Sequence, residues 1–190
     1  MYSFIVNPAS SSGRGLAVWK KVQARLNSRG VPYEFFLLGG PGEAAPLARK
    51  LSSRQDPCTL IVLGGDGTIN EVLDGIENPE FLTFACIPSG SGNDFVRGLS
   101  LPRNPMEALE AVLHPQKYIS VNIGCLASGS RRRAFGVSSG IGFDASVCNA
   151  AYRSALKDFL NTFHAGKLVY MISALKILFA QKRFSLTLTM

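Results

Sequence analysis

Short apolar runs alternate with longer stretches of helical spacing, and that alternation restricts the fold more than any other feature. Tyr2–Val6, Tyr33–Leu38, Thr59–Leu63 and Leu82–Ile87 read as strands. Between and after them, Leu16–Ser28 repeats apolar residues at Leu16, Trp19, Val22 and Leu26, the spacing of one helix face. Glu43–Ser52, about Thr68–Gly75 and Pro105–Leu113 read as further helices, and Tyr118–Ile123 as one more strand. Strands separated by helices imply crossover connections, so the expected core is a parallel sheet covered on both faces. Ligands of such sheets bind at the carboxyl ends of the strands.

Small-residue loops follow three of these strands and should gather along that edge. VLGGDGTINEV, residues 62–72, places three glycines and a carboxylate directly after an apolar strand. Dense glycine weakens regular structure and marks a sharp turn or a close approach. A strand, a glycine turn and a helix starting near Thr68 bring backbone N–H groups and a positive helix end to one point, which suits an anion. Asp66 would repel that anion unless it serves a cation, most simply magnesium held through water. The alternative is a sharp turn with Asp66 as a helix cap. Thr68 can cap the helix or donate to a phosphate oxygen. PSGSGND, residues 88–94, repeats the arrangement with Asp94, and NPASSSGRG, residues 7–15, adds Asn7, Ser10, Ser11 and Ser12 as donors. Neither matches the dinucleotide or P-loop fingerprints. Their convergence points to nucleotide phosphate.

Composition agrees with a globular, anion-binding protein. Among 190 residues 46% are apolar and 17% charged, with a formal net charge of +7. Cys58, Cys86, Cys125 and Cys148 are dispersed without a CxxC pair, which favours a reduced protein over a zinc site or disulfide framework. MYSFIVNP has no basic n-region and no long apolar run, so it does not read as a signal peptide. Leu168–Ala180 is interrupted by Lys176 and falls short of the roughly 20 residues a membrane span takes. His114 and His164 stand alone and read as structural, and Trp19 as core. Arg131-Arg132-Arg133 falls in an expected hairpin turn, Ser128–Arg133, either as a solvated loop or in contact with anionic lipid headgroups.

The pattern changes after Gly124. Ala134–Ser138 reads as a strand, followed by GIGFDA, a helical region from about Ala155 to Ala180 and a strand at Phe184–Met190. Asp144 is placed to cap the following helix or to face a cleft. Two domains are expected, residues 1–124 and residues 125–190, the second β-rich and only begun.

GGDGTINEV, PSGSGNDFVRGL, the leading NPASS and GIGFDA, in this order and spacing, resemble the diacylglycerol kinase catalytic-domain family. The resemblance runs from about Ile5 to the helix near Tyr170. It implies a Rossmann-like, parallel-sheet ATP-binding domain of the NAD kinase and diacylglycerol kinase type, followed by a β-rich lipid-binding domain. Carried over by position, Asn7, Pro8, Ala9, Ser10 and Ser11 would contact nucleotide, as would Gly64, Gly65, Asp66, Gly67, Thr68 and Asn70. Ser91, with Gly92 and Asn93 of the same segment, would lie near the phosphates. Asp66 and Asp94 would serve magnesium indirectly, through water. The implied activity is transfer of the γ-phosphoryl group of ATP to the hydroxyl of diacylglycerol or a related lipid, a step in phospholipid synthesis.

The implied setting is cytoplasmic, with a lipid substrate at the inner face of a membrane. Peripheral attachment and a homodimer are compatible with it, and nucleic acid is not expected. Two departures stand out: Asn122 occupies a place where relatives often carry aspartate, and a threonine ahead of the second helix is replaced around Leu38-Gly39. The family's acidic residue that activates the lipid hydroxyl is expected beyond Met190. Two other readings remain open, an NAD kinase-like enzyme and a non-catalytic nucleotide-binding module.

Overall fold

Phe4, Ile5 and Val6 are consecutive and fully buried, which requires cover on both faces of the strand that carries them. The computed structural model describes residues 1–54, 56–140, 142–153 and 174–178. Its elements are β1 (Tyr2–Val6), α1 (Ser10–Ser28), β2 (Tyr33–Leu37), α2 (Ala44–Ser52), β3 (Cys58–Gly64), α3 (Asp66–Gly75), β4 (Leu82–Pro88), α4 (Asp94–Gly98), α5 (Pro105–Leu113), β5 (Gly124–Ser128), β6 (Arg131–Phe135) and α6 (Phe143–Arg153). The four first strands form a parallel sheet in the order β2-β1-β3-β4. This is the parallel α/β sheet that the strand–helix alternation predicts, in the Rossmann-like form that the resemblance implies.

Alternation along the strands sorts the core into two layers. Ile5, Leu60, Val62 and Cys86 point to one face and pack with Ala44, Ala48 and Leu51 of α2, Ile69, Val72 and Leu73 of α3, and Phe95 and Val96 of α4. Phe4, Val6, Ile61, Leu63 and Ile87 point to the other and pack with Trp19, Val22 and Leu26 of α1 and Ala108 and Leu109 of α5. Each fully buried Leu, Ile or Phe contributes about 1.5–3 kcal/mol relative to exposure. The helix face read from Trp19, Val22 and Leu26 is the buried one, whereas Leu16 is 40% exposed. α5 starts where Asn104 accepts from the Met106 and Glu107 amides, with Pro105 in the first turn, where its missing N–H costs nothing.

The chain divides into two compact units, Met1–Ser138 and Ser139–Met190. The first contains the parallel sheet and the β5–β6 hairpin. Three expectations need correction here. Tyr118–Ile123 is not a strand: among the described residues the segment has no ladder partner, and Tyr118, Ile119, Val121 and Ile123 are exposed. Pairing begins at Gly124, opposite Phe135. The hairpin turn is Gly129-Ser130 rather than Ser128–Arg133, because Gly129 supplies the positive φ (56°) that a two-residue turn needs and lets Arg131–Arg133 join the strand. The second strand therefore ends at Phe135 instead of spanning Ala134–Ser138. The helical region from Ala155 and the strand at Phe184–Met190 lie outside the described residues, apart from the helical stretch 174–178.

Candidate functional site

The loops after β1, β3 and β4 leave the same edge of the sheet, and each is locked to a neighbour. Asn7 closes β1: its amide donates to Leu63 O, its Oδ1 accepts from Ala9 N, and its Nδ2 donates to Thr68 Oγ1 at 2.9 Å. Thr68 is buried under Gly64, where a Cβ would fall 2.8 Å from the Thr68 Cβ. Thr68 is therefore committed to fixing the turn. Ser10 and Ser89 share a buried hydroxyl–hydroxyl hydrogen bond of 2.7 Å. Above it, the Ser11 and Ser91 hydroxyls lie 3.3 Å apart at the surface.

The first loop bends sharply to make these contacts. Although α1 is helical from Ser10, Ser11 (φ 48°), Ser12 (φ 58°) and Gly13 (φ 92°) are left-handed. For serine that conformation costs about 1–2 kcal/mol per residue. Surrounding bonds offset it: Gly13 N donates to Ala9 O, and Leu16 N donates to Pro8 O. Gly15 is pressed so closely on Asn7 O and Ser10 Oγ that no side chain fits. Non-glycine strain of this kind is held where a site needs a fixed shape.

The three glycines of GGDGT have different tasks. Gly64 makes room for Thr68, and Gly65 meets Gly90 backbone to backbone, whereas Gly67 faces open space. α3 starts at Asp66, two residues before the predicted start, with Gly65 as its N-cap and no side-chain cap. The exposed amides of that first turn and the helix dipole make the Gly67 surface attractive to an anion.

Asp66 points away from its own helix. Its Oδ1 accepts from Phe95 N at 3.0 Å, which caps α4. A Cβ on Gly92 would lie 3.1 Å from Asp66 Oδ2 and 3.6 Å from Asp94 Oδ2, so the two carboxylates converge on that glycine. Asp94 Oδ1 accepts from Arg97 at 2.7 Å. Each acid thus keeps one oxygen uncommitted toward a gap that a side chain would fill. Among the described residues no group of three or more His, Cys, Asp or Glu is placed to hold a metal ion directly. Buried beneath the site, the Cys86 thiol has its pKa raised by burial and further by the charge of Asp66, so it stays protonated.

Two predicted residues serve the scaffold. Asn93 is left-handed (φ 54°), accepts from Gly90 N and donates to Gly90 O, so both ends of its amide clip its own loop. Asn70 Oδ1 accepts from Gly136 N at 3.0 Å, and Asp74, one turn on, accepts from Ala134 N at 2.7 Å. Asn70 and Asp74 hold the strand edge of β6 against α3. Of the predicted residues, Ala9, Gly67, Ser91 and Gly92 are exposed at the loop tips, and Pro8 and Ser11 are half-buried beside them.

Sequence reasoning passed over Glu71, Asp74 and Ser89. Glu71 Oε2 accepts from Gly42 N at 3.0 Å, and Glu43 Oε2 from Gly39 N at 2.7 Å, so two carboxylates fix the Gly39–Gly42 loop where a threonine was missed. The i, i+3 spacing of Glu71 and Asp74 on α3 was visible, but their partners lie far along the chain.

Residues 1–124 match the family described as the diacylglycerol kinase catalytic domain. The chain is 34% identical to the "Putative lipid kinase YtlR" of Bacillus subtilis, over 98% of this chain and 62% of that protein. It is 29% identical to a diacylglycerol kinase of Staphylococcus carnosus, over 92% of this chain and 53% of that one. The chain therefore spans a little over half the length of these relatives. A crystal structure described as a "putative diacylglycerol kinase" from Bacillus anthracis superposes with a TM-score of 0.52 at 30% identity, over 60% of this chain and 41% of that one.

Proposed function

Since the chain belongs to the diacylglycerol kinase catalytic-domain family, we propose that it carries the ATP-binding part of a lipid kinase, which transfers the γ-phosphoryl group to the hydroxyl of diacylglycerol or a related lipid. The observation that carries the reading is the locking of three loops to one another, Gly65 against Gly90, Ser10 against Ser89 and Ser11 against Ser91, with Gly67 left facing open space.

Phosphoryl transfer asks a protein mainly for positioning and charge neutralisation. The α3 amides at Gly67 and Thr68 cradle phosphate oxygens, and the amides of left-handed Ser11 and Ser12 are further donors to them. Ser11 and Ser91 donate from either side. The gap beside Gly92 fits magnesium, which binds through one or two carboxylates, its own waters and substrate phosphates. Asp66 Oδ2 and Asp94 Oδ2 would hold it through water. Bound there, the ion would supply positive charge to the phosphates. Asp66, tied to Phe95 N, and Asp94, tied to Arg97, keep their free oxygens oriented without reorganisation. No helix among the described residues is long and apolar enough to cross a membrane. The acceptor is met at a membrane surface, from the cytoplasmic side.

The test is label transfer from γ-labelled ATP with magnesium, offered diacylglycerol in mixed micelles and, separately, NAD. Isothermal titration of ATP runs alongside. Magnesium-dependent ATP binding with label in the lipid supports the reading. Label in NAD, or no ATP binding, overturns it.

A further inference from the structure

The phosphate edge leaves the β5–β6 hairpin unused. Its register sets Ser128 opposite Arg131, Ala127 opposite Arg132 and Leu126 opposite Arg133. Side chains alternate across the ribbon, so Leu126, Arg131 and Arg133 share one face. Arg132 lies on the other, with its Nε 2.8 Å from Cys125 Sγ. All three arginines are exposed. Among the described residues none of them forms an ion pair, whereas Arg25, Arg29, Arg49, Arg54 and Arg97 each have a carboxylate partner.

The surroundings reinforce this imbalance. From Lys117 to Phe143 the chain contains four cations and no acidic residue. Leu126, beside Arg133, is 49% exposed, and the segment leading into β5 exposes Tyr118 (72%) and Ile119 (49%). A polyanion such as nucleic acid would satisfy the guanidinium groups but leave the aliphatic side chains in water. An anionic bilayer satisfies both: phosphate headgroups take arginine, and the interfacial layer takes leucine and tyrosine.

We propose that the β5–β6 hairpin, with the apolar segment Tyr118–Ile123 before it, docks this chain on an anionic lipid surface through Arg131, Arg132, Arg133 and Leu126. The choice of a bilayer over another polyanion rests on the lipid-acceptor reading above. Docking places the hairpin, clasped to α3 through Ala134 and Gly136, at the headgroups.

Sedimentation of the 190-residue chain with vesicles tests this, using mixed phosphatidylglycerol and phosphatidylcholine, or phosphatidylcholine alone. The variant Arg131→Gln/Arg132→Gln/Arg133→Gln is compared with Lys20→Gln/Lys21→Gln/Lys50→Gln, which removes equal charge from α1 and α2. Circular dichroism verifies that both fold. The arginine variant should lose about 100-fold in partitioning to the anionic vesicles, at roughly 1 kcal/mol per basic residue. The lysine variant should lose far less, and salt should weaken binding of the parent chain. Leu126→Ser should weaken the part of the binding that survives high salt.

Equal losses in the two triple variants, equal binding to uncharged vesicles, or tighter binding to a DNA duplex than to anionic vesicles would overturn the proposal. Sedimentation needs neither ATP nor turnover. A failure of label transfer therefore leaves a positive vesicle result standing, and a failure to sediment leaves the kinase reading standing.

Discussion

Gly65 and Gly90 touch backbone to backbone: a Cβ on Gly90 would fall 2.5 Å from the Gly65 Cα and 2.8 Å from Asn93 Oδ1. Just before this contact Gly64 pairs with Pro88 in the β3–β4 ladder, so neither strand end can retreat. Gly90→Ala should therefore destabilise the fold by about 1–3 kcal/mol, the usual cost of overpacking. Urea unfolding measures it. An unchanged midpoint would mean that the loops are not locked as described.

Gly67→Ala should behave in the opposite way. Nothing lies within 4 Å of its Cβ position, and alanine is the better helix residue, so stability should hold or rise by up to about 1 kcal/mol. The methyl group would occupy the surface assigned to phosphate, and ATP should bind about tenfold more weakly, or about 1.4 kcal/mol. Calorimetric titration beside a thermal melt reads both quantities. Full ATP affinity in the variant would remove the phosphate from this spot.

Asp74→Ala should release the hairpin while sparing the sheet. The Ala134 amide loses its acceptor, at a cost of about 1–2 kcal/mol for a part-buried donor left unpaired. Amide exchange at Ala134 and Gly136 should accelerate about tenfold or more, whereas amides of β1 and β3 keep their protection. Acceleration spread evenly over the molecule would show that the clasp is not local.

Glu34 makes the sheet edge sensitive to acid. Burial works to raise its pKa, but the hydrogen bond from Ser3 at 2.7 Å and the Arg54 guanidinium together hold it below its ordinary value of 4.5. A lowered folded-state pKa means stability that is fully present above the unfolded value and lost as pH falls through the folded one. Glu34→Gln keeps an acceptor for Ser3 and removes the charge. Its melting temperature should lie below the parent's at pH 7, and the gap should close as the pH falls well below 4.5. A gap that persists in acid would assign the loss to packing instead of charge.

The sheet was legible because its strands advertise themselves locally. Phe4, Val6, Ile61 and Leu63 alternate in burial direction with Ile5, Leu60 and Val62, and a doubly covered strand must be apolar at every position. Three small-residue loops at the carboxyl edge followed from that order alone. The hairpin register was not legible, since Tyr118–Ile123 has strand composition but acquires no ladder partner among the described residues. Whether a segment pairs depends on what lies beside it.

The same limit applied inside the site. Asn7, Asn70 and Asn93 sit in motifs that suggest ligand contact, yet each amide is engaged by Thr68, Gly136 or Gly90. Local sequence indicates that a polar group belongs to a loop and leaves unstated which distant group satisfies it. Gly65 illustrates the point. Its glycine was visible as a need for room, and only the fold shows that another glycine claims that room.

The chain's single tryptophan, Trp19, has ring centroids of Phe4, Tyr33 and Phe35 at 5.3, 6.0 and 5.1 Å. Its fluorescence therefore views one side of the sheet, the side built with α1 and α5. The opposite side, where α2, α3 and α4 pack, contains no indole and is dark to that probe. Emission from Trp19 and far-ultraviolet ellipticity will superpose during denaturation only if both sides give way together. A lag between the two curves would identify which half of the molecule yields first.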